Sequence, residues 1–346
     1  MPIRMRLHGL LVAALVMACT VVDSLGPSAR LHAQPSPSSA ANAPGGAPRA
    51  PQTPRFQTVS LLGDTLRAFP LSAATRTRYE AQLAVARRAY QRTPSNVDSI
   101  IWYARRLGYL GKLRESIEIY TRGIALYPDN PWLYRHRGHR YISVRDFDAA
   151  ISDLRRADEL TRDKPDEVEP DGQPNARNTP IGTLKSNILY HLALAYYLQG
   201  SWGEAAQVAE REVTAATNDD RRVSMAHWQY MALRRAGRPA DAAKVLAPIR
   251  RNMRVIENQP YHKLLLMYKG VLPPDSVLTA GPNGELSVED ATAAYGVANW
   301  HWYNGRRPEA EALLRRILAG GQWGAFGTVA AEVELSRMPQ VAPPRN

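Results

Sequence analysis

The sequence predicts an all-α chain of stacked helical hairpins, and three observations carry that expectation. Pro94 and Pro128 stand 34 residues apart, each closing a helical pattern. The residues between them recur in frame along the chain, and a fixed period of this length marks a repeat array. The segments flanking the recurring ones also read as helices, with no strand-like run among them. The composition suits a folded protein, with 45% hydrophobic and 22% charged residues.

The chain opens on an export segment, residues 1–33. Arg4 and Arg6 give it a positive start, and Gly9 to Val22 is almost wholly apolar. That run is too short for a membrane-spanning helix, which needs about 20 apolar residues. Two processing readings stay open. Val16-Met17-Ala18-Cys19 resembles a bacterial lipoprotein box, in which Cys19 would be lipidated. Leu31-His32-Ala33 before Gln34 reads as an ordinary signal-peptidase site. Both place the mature protein outside the cytoplasm, in the periplasm or cell envelope. Cys19 is the only cysteine, which excludes a disulfide scaffold, a cysteine-rich zinc site and a catalytic thiol in the folded part. Residues 34–56 are rich in Pro, Ser and Ala and lack acids, so they are expected to be a disordered linker.

Residues 57–338 carry the repeats. Ser72 to Thr93 reads as a capping helix. The first repeat, 97–130, has Ile100, Tyr103, Ala104, Leu107, Gly111, Ser116, Tyr120, Gly123 and Pro128 at its key positions. The second, 131–164, keeps Tyr134, Gly138, Tyr141, Phe147, Ala150, Leu154 and Ala157. Equivalent sets recur in 186–219 (Leu189, Ala193, Gly200, Ala205), 223–256 (Ala226, Tyr230, Gly237, Ala242) and 291–324 (Ala294, Ala298, Gly305, Ala310). Small residues let the two helices of a pair touch, and the glycine takes the turn. One such hairpin cannot cover its own apolar faces, so neighbours must stack. Pro260 to Leu272 and Asp275 to Ala280 read as an irregular pair, Gly324 to Met338 as a closing helix, and 339–346 as a disordered tail.

This pattern resembles the tetratricopeptide repeat, and several polar stretches resemble those of uncharacterised secreted bacterial proteins of that kind. The resemblance implies a right-handed superhelix whose inner groove is lined by the first helix of each pair. The residues at its groove positions are Arg105 and Tyr109; Trp132, Arg135, His136 and His139; Asn187, Tyr190 and His191; His227, Trp228 and Arg235; and Asn299, Trp302 and Tyr303. That set is basic and aromatic, with Asp98 its one acid, as suits a carboxylate-bearing ligand. Arg105, Arg135 and His139 are expected to converge on one patch flanked by Tyr109 and Trp132. No i+4 acids accompany Arg135, Arg137 and Arg140.

Residues 165–185 break the frame. They are expected to be ordered, either building the groove or laying Asp166, Glu167, Glu169 and Asp171 onto its arginines as an internal plug. No nucleophile elbow, phosphate loop or His-Glu-x-x-His motif is present. His136 and His139 share one helix face without an obvious third ligand, so no metal and no cofactor is expected. The net charge is +12 with a pI near 9.9, and 41 basic residues against 31 acidic ones follow residue 33. An exported chain without a recognition module is not expected to bind nucleic acid. The charge fits an acidic peptide or protein, an anionic envelope polymer or a membrane surface. The expected function is therefore a non-enzymatic binding scaffold. The alternative is an envelope- or glycan-directed enzyme with His136, His139 or His227 as acid and base.

Overall fold

Helix starts recur where side-chain caps fall at the predicted spacing. Asn96, Asn130, Thr183 and Asn218 each accept a backbone N–H from the first turn of the helix that follows. The computed structural model describes residues 55–67, 69, 71–278 and 288–338, all within a single unit. The export segment with Cys19, nearly all of the linker and the tail lie outside the described residues.

A lone helix α1 (Ala73–Arg92) precedes the hairpins α2/α3 (Val97–Tyr109, Leu113–Leu126) and α4/α5 (Pro131–Ser143, Phe147–Thr161). Then come α6/α7 (Leu184–Gln199, Trp202–Ala215) and α8/α9 (Asp219–Arg235, Pro239–Leu246). Helix α10 (Gln259–Tyr268) is followed by one 3₁₀ turn, Pro274–Ser276, so the irregular pair has only one α-helix. The last hairpin is α11/α12 (Val288–Tyr303, Arg307–Ala319), and α13 (Phe326–Arg337) ends the described chain. Sequential helices pack in pairs around fully buried small residues, among them Ala104, Ala150, Ala242 and Ala310. At Gly138 an added Cβ would stand 2.7 Å from Leu154 Cγ, the close helix contact the repeat requires.

The inter-helix turns place Gly111, Gly200, Gly237 and Gly305 at φ between 71° and 97°. In the second repeat the position equivalent to Gly111 is Arg145, held at φ 68°. A side chain there costs about 1–2 kcal/mol. The offset is visible in its contacts: the buried Arg145 guanidinium donates to both Glu332 oxygens, at 3.1 and 2.7 Å, and to the Trp323 carbonyl at 3.0 Å.

Two features depart from the expected plain helical array. The first is a small antiparallel hairpin, β1 (Thr58–Val59) with β2 (Thr65–Leu66), turning at Gly63. Its β-branched Thr58, Val59 and Thr65 suit strand geometry. Gln57 at its base accepts from Leu113 N at 2.7 Å, capping α3 where Lys112 provides no side-chain cap. The second is the course of α13. Nine of its twelve residues, Gly327 to Leu335, are buried, as a helix packed on all sides must be. It lies along the first helices of the hairpins: Phe326 meets His139, Tyr190 and His191, Glu334 meets Arg235, and Arg337 donates to the Leu198 carbonyl. The closing helix thus fills part of the inner face. Among the described residues no helix is long and apolar enough to cross a membrane.

Candidate functional site

The inner face holds the candidate site, and three elements assemble it: the first helices, the insert and the 255–258 segment. The insert runs between α5 and α6. Its arms pair where Val168 bridges Thr183, Glu169 N donates to Gly182 O, and Leu184 N donates to Glu167 O. Asn175 folds the tip, accepting from the Arg177 and Thr179 amides. The insert therefore lies down as an ordered strap over α2 and α4.

Glu169 is the strap's anchor. It is 4% exposed, with one carboxylate oxygen 2.9 Å from Arg135 Nε and accepting from Asn187 Nδ2 at 2.9 Å. The other oxygen lies 3.8 Å from Arg105 and 3.9 Å from His136 Nε2. The Arg135 Nε and His136 Nε2 protons are close to this carboxylate without hydrogen-bond alignment, so both are left as buried unsatisfied atoms. Arg105 also donates to the Pro170 carbonyl at 2.9 Å, and Arg106 to the Gly172 carbonyl at 2.8 Å. Gly172 passes so close to Tyr109 that an added Cβ would overlap its hydroxyl, and the Tyr109 and Arg105 side chains would have to shift to admit one. Both readings of the insert hold in part: of its four acids Glu169 alone comes within ion-pair range of the groove arginines among the described residues, while Asp171, Ile181 and Gly182 line a cavity on the inner face.

The groove arginines are consequently not open cations. Arg235 pairs with Glu334 of α13 at 2.9 Å, and Arg137 pairs twice with Asp153 of α5, at 2.7 and 2.8 Å. Acids absent at i+4 arrive from other elements. Arg140 is the exception in this cluster. It donates to His139 Nδ1 at 3.0 Å, and no carboxylate lies in ion-pair range of it among the described residues.

The predicted patch of Arg105, Arg135 and His139 is only partly assembled. Arg105 and Arg135 converge on Glu169, with Tyr109 beneath the strap. His136 stacks between Tyr120 and Trp132, at centroid distances of 5.8 and 6.4 Å. His139 turns the other way, facing His191 at 4.3 Å and Phe326 at 5.3 Å. Further along, Trp228 and His227 are core residues. Trp228 packs edge-on to Tyr197, and His227 stacks on Tyr268. Asn299 is also buried, accepting from Arg235 and donating to Tyr197. Tyr303 lies under the Arg234 guanidinium at 4.1 Å, and Trp302 under Arg307 at 4.3 Å, beside a separate outer cleft. For His227, Trp228 and Asn299, the groove position is filled by packing.

Two adjoining cavities remain on the inner face. One, of about 210 Å3, is lined by Asp171, Asn187, Tyr190, His191, Glu257 and Asn258 among others. The other, of about 280 Å3, lies against His139, Tyr261, Thr292 and Phe326 and shares Glu257 and Asn258 with the first. Asp220 sets the shared wall: its carboxylate accepts from the Ile256, Glu257 and Asn258 amides at 2.8–2.9 Å, fixing the segment that leads into α10. Phe326 and the Asp220 anchor carry no local sequence signal for their part in this wall.

Burial controls the ionisation here. It holds the His136, His139 and His191 imidazoles well below the usual histidine range, with Arg135 and Arg140 reinforcing the effect. Burial alone pushes His227 down to about 3. A general acid needs a proton at working pH, so these histidines are poorly placed for that role. Burial raises the Asp171 and Glu257 carboxyls. Among the described residues no three His, Cys, Asp or Glu side chains converge as a metal-ligand set.

Stacked hairpins in a 34-residue frame, joined through small residues and glycine turns, decide the architecture. The chain folds as a tetratricopeptide solenoid. No protein-family model matches it, and no curated protein does. Among solved structures it is similar to a tetratricopeptide repeat protein from Parabacteroides merdae, at 10% identity over 77% of this chain and 94% of that one, with a TM-score of 0.44. It is also similar to YrrB, described as a TPR protein with an unusual peptide-binding site (14% identity, 70% and 95% covered, TM-score 0.38). A third likeness is to a kinesin light chain TPR-like repeat protein from Podosopora anserina (18% identity, 65% and 95% covered, TM-score 0.39). At such identities and scores, nothing about a ligand passes from these proteins to this one.

Proposed function

We propose that the chain is a non-enzymatic binding scaffold that works outside the cytoplasm and holds an acidic peptide or protein segment on its inner face. The observation that carries this reading is the setting of Glu169. Two arginines, a histidine and an asparagine from α2, α4 and α6 surround one buried carboxylate. Arginine forks recognise carboxylates through charge-assisted contacts. The strap loads that receptor with the chain's own side chain, so an incoming acidic segment binds by exchange with Glu169. Arg140, which has no carboxylate opposite it, supplies attraction that the strap leaves uncompensated.

The test is a titration of a fluorescent hexaglutamate peptide into the parent, Arg135→Ala and Glu169→Gln at low and moderate salt. Losing a charged contact costs about 1.5–3 kcal/mol, so Arg135→Ala should bind more than tenfold more weakly. Glu169→Gln, whose strap competes less, should bind more tightly. Added salt should weaken all three. Equal affinities across the series, or no binding by Glu169→Gln, would reject the exchange reading.

A further inference from the structure

The paired cavities lie beside the arginine receptor, share Asn187 with it and contain neither Arg105 nor Arg135 in their walls. Their polarity follows from two hydrogen bonds. His191 Nδ1 lies 2.6 Å from the Asn187 carbonyl, which can only accept, so Nδ1 carries the proton and Nε2 is a bare acceptor. His139 Nδ1 lies 3.0 Å from an Arg140 nitrogen, which can only donate, so here Nδ1 accepts and Nε2 carries the proton. The two rings stand 4.3 Å apart with no hydrogen bond between them, and each lines a cavity. His191 is 4% exposed, and its Nε2 has no hydrogen-bond partner among the described residues. A donor on the wall of one cavity thus stands beside an acceptor on the wall of the other.

The same two cavities also offer acceptors. The Asp171 carboxyl has no hydrogen-bond partner among the described residues, and Glu257 takes one bond from Asn175. Asn258 uses its amide nitrogen on the Asp220 carbonyl, leaving its side-chain oxygen to the cavity. Phe326 and Tyr261 supply apolar surface, and the Tyr261 hydroxyl is tied to Tyr190 at 2.6 Å. The one arginine on these walls, Arg221, is neutralised by Glu212 at 2.7 and 3.0 Å.

We propose that this chamber binds a neutral polyhydroxylated ligand, a saccharide unit, with one hydroxyl bridging the His139 donor and the His191 acceptor. A hydroxyl both donates and accepts, which is what that histidine pair requires. Further hydroxyls donate to Asp171, Glu257 and Asn258, and a ring face lies on Phe326 or Tyr261. An anion would meet the two carboxyls. A cation would leave the His139 N–H without an acceptor and would face Arg135 and Arg140 behind the imidazoles. The two volumes together fall within the roughly 300–1,000 Å3 of small-ligand sites.

The experiment is calorimetry on the folded chain with glucose, maltose, N-acetylglucosamine and its disaccharide at millimolar concentration, with spermidine and glutamate as charged controls. At least one sugar should bind, and Asp171→Asn should weaken it about tenfold. The imidazole nitrogen NMR shifts of the free chain should show the proton on Nε2 of His139 and on Nδ1 of His191. Binding of none of the four sugars, binding of spermidine or glutamate instead, or the same tautomer at both histidines would overturn the proposal. The hexaglutamate titration reads the arginine receptor separately, so either result can fail without the other.

Discussion

At the residue scale, the inner face is governed by desolvation. Four histidines are held neutral by burial, three of them with arginines nearby. Their folded pKa values lie below the unfolded value near 6.5, so the unfolded chain binds more protons as pH falls. Stability is therefore fully present above about pH 6.5 and is lost on acidification toward the folded pKa values. Each such histidine contributes up to about 1.4 kcal/mol per pH unit in that window. Melting temperature should drop steeply between pH 7 and pH 5, and His227→Phe should flatten the slope; a flat parent profile would contradict the burial. The same scale explains what the sequence hid. Arg135 and Arg137 have no acid at i+4, yet Glu169 and Asp153 reach them from the strap and from α5. Those pairings depend on tertiary approach, which local spacing does not encode.

At the element scale, the helices were legible, the closing one included, whereas the course of α13 and of the strap across the inner face was not. Caps, apolar spacing and turn glycines are local signals, and they mark α2 through α9 and α11 through α12. That α13 turns onto the inner face follows from long-range pairs such as Arg145 with Glu332. Glu332 joins three elements: it accepts from Arg145 and from Leu61 N of the hairpin, at 2.6 Å, while sitting on α13. Removing one member of a buried ion pair costs about 3–5 kcal/mol. Glu332→Ala should lower the unfolding free energy, measured by denaturant titration, by an amount in that range, and should also free Arg145 from the contact that offsets its left-handed backbone. Arg145→Gly should lose less, since glycine takes that φ without strain. A Glu332→Ala chain as stable as the parent would remove α13 from the account.

At the scale of the whole molecule, the solenoid supplies a concave wall and the chain then occupies much of it. The strap covers the receptor of α2 and α4, α13 covers the wall further on, and two cavities are left between them. A sequence reading of the groove as open and basic follows from the first helices alone. The acids that answer those arginines lie in an insert and a terminal helix, outside the repeat frame. The account turns on exchange between the strap and an acidic ligand at Arg105 and Arg135. Amide hydrogen exchange of the parent with and without saturating hexaglutamate tests it most directly. Displacement of Glu169 should accelerate exchange in the strap, above all at Glu169 N, whose bond to Gly182 O holds the arms together, while α2 and α4 stay protected. Unchanged or slower exchange in the strap with the peptide bound would show that the ligand does not enter where Glu169 sits.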